Sequence, residues 1–489
     1  RSDYIANILE CEYIDNLLEN ENENENGEHS EPASLLGTSF HYVVVDIKFS
    51  TLRLRSDGIT LLNSGSIPAY KSQVALYNKA LFEMQGYLPN YSYLLGRKWK
   101  YKKGKLNFSG NSALERLGKV DFTGVDKDIY ELTSSAVNWR RDLQLNGSTW
   151  KLYSETSDSS PLSQPEFYPN MSNSHDYPWH TFKKCLAEEI GEITSLWNCG
   201  PKNRQLAHSQ GIYSYKAPVC SAKSLGVNGK ITSKVLQKIL DKNRISNNSN
   251  TLTKISTEND FFISRKVPLE FFVDFESVND INDDFSEIPF SSGTSIVFMI
   301  GMGYSHPITK EWVFKSFTVK SLTLSGEFDV FTEWMCYTRS VCKQFDCNVD
   351  DVLYHHWSKA ERTLLNQVIS RQRNVNKNND IVIDRFWFTP NWFDTMDIFI
   401  KEPITIPGVL NFDLKSIAKG MNKLDLIPTT WESNDIDGAT AMLIAWQIQG
   451  QLKENEELSD YPEIQEVIKY NEVDCKVIWE IVTYLRSNN

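Results

Sequence analysis

Hydrophobic and polar positions change period several times along this chain. The run Phe40-His41-Tyr42-Val43-Val44-Val45-Asp46-Ile47-Lys48 is apolar and β-branched, and it predicts a buried strand. Over residues 72–84, Val74, Leu76, Tyr77, Leu81 and Phe82 recur at helical spacing and predict an amphipathic helix. A basic stretch follows, Arg97-Lys98-Trp99-Lys100-Tyr101-Lys102-Lys103-Gly104-Lys105. Residues 106–265 are weakly patterned: helices are expected over 181–196 and 233–244 among Ser/Asn/Pro-rich loops, with a hinge over 243–250. From Val267 the pattern sharpens again. Leu269-Glu270-Phe271-Phe272-Val273-Asp274-Phe275-Glu276 reads as a strand, with further strands expected over 294–301 and 311–318. Val352-Leu353-Tyr354-His355-His356 leads into a helix over 359–371, and a helix over about 463–485 closes the chain. Strands followed by alternating strands and helices predict an α/β domain with a mixed sheet.

Composition narrows the class. At 489 residues the chain predicts two or three domains, and 40% hydrophobic with 23% charged residues is a soluble globular balance. Residues 17–33, acidic and Asn-rich, predict a solvated loop between strands. The net charge of -12 excludes a histone-like binder, yet phosphate contacts depend on local patches and acidic metal sites concentrate carboxylates. Eight cysteines form no CxxC pair, which argues against a zinc ribbon and for reduced thiols in an intracellular protein. No membrane span and no signal peptide are expected. The sequence opens on Arg1 and not on Met, so the natural N-terminus is expected upstream.

A first chemical constellation lies early in the chain. Strand alternation puts Asp46 and Lys48 on one face, where a carboxylate can hold a divalent cation and the Lys can orient water and balance charge on phosphorus. Asp3, in Ser2-Asp3-Tyr4-Ile5, is the candidate second metal ligand, and Gln73 and Tyr77 stand one helical turn apart. The segment 43–48, then Gln73-Val74-Ala75-Leu76-Tyr77 and Gln85-Gly86-Tyr87, resembles the RecB-type branch of the PD-(D/E)XK nucleases. The resemblance implies that Asp3 and Asp46 bind metal, that Lys48 is catalytic, and that Gln73 and Tyr77 position nucleic acid. The family's earlier helix, with its own His or Glu, precedes the metal Asp and is expected upstream of Arg1, leaving this site incomplete. Arg97, Lys98, Lys100 and Lys102 are candidate phosphate contacts, with Trp99 and Tyr101 as stacking groups. A solvated hairpin with its alternating aromatics packed inward fits the same residues.

A second constellation spans the C-terminal half. Asp274-Phe275-Glu276 puts two carboxylates on one strand face, and Tyr470-Asn471-Glu472-Val473-Asp474 puts Tyr470 and Asp474 one helical turn apart. Acids remote in sequence that converge in space are what a two-metal phosphodiester site requires. This order resembles the DEDD exonucleases of the RNase H-like fold, in the version ending in Y-x-x-x-D. The resemblance implies a middle acid at the start of a helix after a strand. Glu361, in Tyr354-His355-His356-Trp357-Ser358-Lys359-Ala360-Glu361, is the preferred candidate and Asp394 the competitor. Asn411-Phe412-Asp413-Leu414-Lys415-Ser416-Ile417 resembles the helix entry that follows the middle motif, and His355 and His356 read as structural.

Together the two resemblances describe an α/β (α+β) chain in three parts. These are a truncated RecB-like PD-(D/E)XK nuclease domain over 1–105, a helical connector over 106–265, and an RNase H-like mixed-sheet domain over 266–489. The segment 187–197, followed by Gln210-Gly211-Ile212, resembles the connector of such two-part proteins, and Cys220 reads as a structural thiol there. The activity that the resemblance implies is a Mg²⁺- or Mn²⁺-dependent 3′→5′ exonuclease, acting on DNA in preference to RNA, with a helicase as an expected partner. A non-enzymatic nucleic-acid-binding or scaffolding subunit with decayed sites is the alternative, as is the same chemistry on RNA.

Overall fold

The computed structural model describes residues 32–111, 113–155, 160–174, 176–244, 267–279, 293–375, 377–431 and 436–488. The chain divides into two compact units, Arg1–Trp150 with Asp280–Ser295, and Lys151–Asn279 with Ile296–Asn489. Each is α/β with a mixed sheet.

The first unit is built on β1 (Val45–Arg53), α1 (Ile67–Gln85), β2 (Tyr91–Lys103), β3 (Leu106–Gly110), β4 (Leu117–Asp121) and α2 (Ile129–Asn146). β1 and β2 are parallel, joined by α1, and β2 pairs on its other edge with β4 along its first half and β3 along its second. The central position of β2 buries Leu94 against Leu52, Val74 and Val120. β1 begins later than its apolar run suggests, and Val45, Ile47 and Phe49 are exposed while Asp46 and Lys48 turn inward. One face of β1 turns toward the core that Leu52 and Val74 share and the other is left exposed, so alternation replaces the expected continuous burial. The expected boundary at 105 falls in the turn between β2 and β3, and sheet pairing carries this unit on to Trp150.

α1 buries polar side chains where Leu76, Tyr77 and Phe82 were expected inward; those three are exposed. Each buried polar group has partners. Lys71 Nζ lies 2.5 Å from Asp126 Oδ1 and also donates to Asn63 and the Leu61 carbonyl, and Asn78 donates to Tyr130 and the Pro89 carbonyl. Gln85 ties the backbone of Tyr42 to that of Tyr87. Burial lowers the Lys71 pKa, against the opposing pull of Asp126. Asp126→Ala is expected to strand this ammonium at a cost of about 3–5 kcal/mol, whereas Lys71→Met combined with Asp126→Leu costs less. Urea unfolding of the two variants beside the parent protein checks the order.

The second unit opens with α3 (His180–Ile190), α4 (Pro201–His208) and α5 (Lys230–Arg244). Then come β5 (Glu270–Val278), β6 (Ile296–Ser305), β7 (Trp312–Thr318), α6 (Leu324–Gln344), β8 (Leu353–His356), α7 (Ala360–Val375), α8 (Lys377–Phe386) and β9 (Trp392–Asp394). α9 (Met396–Lys401), α10 (Leu414–Lys423), α11 (Gly438–Gln449) and α12 (Pro462–Ser487) complete it. The sheet order is β7-β6-β5-β8-β9, an antiparallel meander continued by two strands parallel to β5. Alternation along β5 sends Phe275 toward Phe331 and Trp334 of α6, while Phe272 joins the core shared with α12.

The connector does not stand apart. Ile193, Leu236 and Ile239 enter the same core as Ile417, Ile478 and Ile481, so the expected boundary at 265 lies inside one packed unit. Cross-links reinforce it: the Trp197 N–H donates to the Leu410 carbonyl, and Asn243 Oδ1 accepts from the Gly408 N–H. Of the expected hinge, Asn243 and Arg244 end α5, and 245–250 lie outside the described residues, as do 17–31 of the acidic tract. The described cysteines are all free, with Cys199 and Cys220 buried and their thiol pKa values raised, Cys199 to about 12. No described helix is long and apolar enough to cross a membrane.

At the start of β5, Glu270 accepts two hydrogen bonds from Arg486 (2.6 and 2.9 Å) and one from His355 Nε2 (3.0 Å). Burial pushes its carboxyl up, but the bonds from His355 and Arg486 outweigh it and hold the pKa at about 2. A folded-state value below the unfolded one stabilises above pH ~4.5, and that stability is lost as pH falls toward 2. Arg486→Met is therefore expected to raise the midpoint of acid unfolding, read by circular dichroism across that window.

Candidate metal centre

The last helix carries a buried stripe, Ile464, Val467, Asn471, Asp474, Cys475, Ile478, Ile481 and Leu485, that is apolar except where it crosses β5. There Asp474 meets Asp274 and Glu276, and one carboxylate oxygen of each lies within 4.8 Å of the others. The two strand acids share a face, as their spacing of two predicts. Immediately beyond Glu276 the β5–β6 register shifts, an irregularity beside the acids after which pairing resumes at Ser277 and Val278.

Supporting groups fix the geometry. Asn471 Nδ2 donates to Asp274 Oδ2 at 2.7 Å, and the Trp431 indole donates to Asp474 Oδ1 at 3.1 Å. Gly301 sits opposite Asp274 in β6, where a Cβ would lie 1.7 Å from Asn471 Oδ1, so the amide's seat requires glycine. Lys415 Nζ lies over the Tyr470 ring (4.7 Å to its centroid) and donates to the Ile436 carbonyl at 3.1 Å.

Electrostatics follow from enclosing like charges. Burial, then the charges of Glu276 and Glu361, push Asp274 well above the usual carboxylate range, with the Asn471 bond opposing. Burial and Asp474 push Glu276 up to about 8, with Asn471 and Lys415 opposing. Asp474 is raised by burial and by Asp274, against Lys415, Tyr470 and Trp431. Burial and the charge of Asp474 also raise the Tyr470 hydroxyl. Three converging carboxylates with one nearby lysine form an all-oxygen donor set suited to a hard divalent cation.

Glu361 enters from the first turn of α7, buried, with Oε2 3.0 Å from His356 Nδ1. It lies outside the tight group of three but near enough for its charge to act on Asp274 and Glu276. Asp394 does other work: its Oδ1 accepts the backbone N–H groups of Ser358 and Met396, holding the turn after β9. His355 is fully buried between Glu270 and Thr395, as a structural residue would be.

In the first unit Asp46, Lys48, Gln73 and Tyr77 form one linked row. Lys48 Nζ is 2.8 Å from Asp46 Oδ2 and 2.6 Å from Gln73 Oε1, and Gln73 Nε2 donates to the Tyr77 hydroxyl. Asp3 lies outside the described residues, and among those described no group of three ligands includes Asp46. Along β2, Lys100 and Lys102 are exposed and Lys98 half-buried, but Arg97 is buried with its guanidinium over Phe49 and does not face solvent as a phosphate contact would. Trp99 and Tyr101 stack in line with Phe108 beneath Arg116, and the Trp99 indole donates to Glu115. The inward-packed hairpin is therefore the arrangement found, because those ring faces are already covered.

Asn471, Trp431, Lys415 and Gly301 were not named as site residues from sequence. Two had a signal: Asn471 is a polar break in the α12 stripe, and Lys415 sits in the helix-entry motif. No family model, curated protein or solved structure matches this chain. Because the three acids repel one another, Asp474→Asn is expected to raise the melting temperature in chelator by roughly 2–4 °C, as about 1 kcal/mol would. The same change is expected to shrink the rise that Mn²⁺ produces in the parent protein, both read by thermal denaturation.

Proposed function

We propose that the second unit is a metal-dependent phosphodiesterase acting on nucleic acid: a 3′→5′ exonuclease of the RNase H-like DEDD kind using Mg²⁺ or Mn²⁺, with DNA the favoured substrate. The observation that carries this reading is the convergence of Asp274, Glu276 and Asp474, from a strand and a helix far apart in sequence, with Glu276 and Asp474 buried and Asp274 partly so. The mixed sheet and the position of Glu361 at the start of α7 agree with it. Direction and substrate come from the resemblance alone.

Asp274, Glu276 and Asp474 would hold the cation, with Glu361 braced by His356 beside them. A divalent ion there supplies positive charge to the phosphoryl oxygens and eases deprotonation of the attacking water. Tyr470, hydrogen-bonded to Asp474, orients that water for in-line attack without a covalent intermediate. Lys415 balances negative charge at the centre. The row Asp46–Lys48–Gln73–Tyr77 is proposed as the core of a second, PD-(D/E)XK-type site, completed by residues beyond those described.

The test is degradation of end-labelled single- and double-stranded DNA and RNA with Mg²⁺ or Mn²⁺, comparing the parent with Asp274→Ala and Asp46→Ala. Asp274→Ala is expected to abolish stepwise shortening, a loss of at least about 100-fold if the ligand is essential, while Asp46→Ala retains it. No cleavage by the parent, with no Mn²⁺ binding by calorimetry, would overturn the enzyme reading.

A further inference from the structure

A cavity of about 580 Å³ lies between the connector and α10. Lys184 and Glu188 of α3 line one side, and Lys419 and Lys423 of α10 the other. In a chain with a net charge of -12, three lysines against a single carboxylate make this wall locally basic. The lysines are also ordered. Lys415, Lys419 and Lys423 recur every four residues, so they lie along one face of α10 at steps of about 6 Å. The row starts at the metal centre, where Lys415 lies over Tyr470. Lys419 is exposed, and burial together with the charges of Lys415 and Lys184 holds its pKa below the usual lysine value. Those two cations therefore crowd Lys419 from α10 and from the connector.

We propose that Lys415, Lys419 and Lys423, faced by Lys184, hold successive phosphates of one nucleic-acid strand whose end reaches Asp274, Glu276 and Asp474. The proposal rests on the phosphodiesterase reading and deepens it, assigning one substrate strand a path along α10 and giving the connector a binding role. Cations at roughly 6 Å steps can follow an extended sugar–phosphate backbone, and anions arriving there relieve the repulsion among the lysines.

The experiment measures binding of fluorescein-labelled dT12 by anisotropy, with Ca²⁺ present, across a salt series. The proteins are the parent, Lys419→Gln/Lys423→Gln, and Lys234→Gln/Lys238→Gln, which removes two exposed lysines from α5. The α10 variant is expected to bind about tenfold more weakly, with a log–log salt slope shallower by about 0.7 for each lost contact. Its defect grows with strand length, being smallest on a dinucleotide. Equal affinity and slope in parent and α10 variant, or an equal loss in the α5 variant, would overturn the proposal. The phosphodiesterase reading fails separately, if the parent does not cleave dT12 with Mn²⁺, and the anisotropy still decides whether the lysine row binds a strand.

Discussion

The second unit is organised around an unfavourable contact: carboxylates from β5 and α12 enclosed together with too little positive charge nearby. Burying like charges is costly, and a fold tolerates it only where surrounding packing over-determines the positions. That packing is visible. The apolar remainder of the α12 stripe pins the helix to the sheet, Asn471 and Trp431 hold Asp274 and Asp474, and Gly301 leaves the space Asn471 occupies. Under the proposed reading, a cation bound there would relieve the repulsion among the three acids.

Both units use the same device, polar side chains set into an otherwise apolar helical face. In α1 these are Lys71, Asn78 and Gln85, whose partners make them structural. In α12 they are Glu480, which accepts from Thr429, and Asn471 and Asp474, which face the two strand acids Asp274 and Glu276. A buried polar group needs a partner in either case. What separates scaffold from candidate site is like charge: the α1 groups meet opposite charge or neutral dipoles, whereas Asp474 in α12 also faces other carboxylates.

The connector illustrates how packing redraws a boundary that composition suggests. Its loops are polar and its helices short, yet its apolar residues are buried only because they share a core with α10 and α12. That shared core also places Lys184 across a cavity from the α10 lysines, so the proposed strand path depends on the connector being docked.

Local pattern alone determined much here. Period-two placement put Asp274 and Glu276 on one strand face, and the four-residue spacing of Tyr470 and Asp474 put both on one helical side. The α/β class followed from the order of strands and helices, and the start of α7 was legible closely enough to single out Glu361. Only the tertiary structure shows that the charge of Glu361 acts on both strand acids while Asp394 accepts the backbone N–H groups of Ser358 and Met396, because both depend on sheet order. It also decided that Arg97 is buried, that Trp99 and Tyr101 are covered, and that β1 buries one face, since strand pairing is non-local. Trp431 and Gly301 carry no local signal at all. Their roles come from contacts with residues more than 40 positions away, which no window along the chain contains.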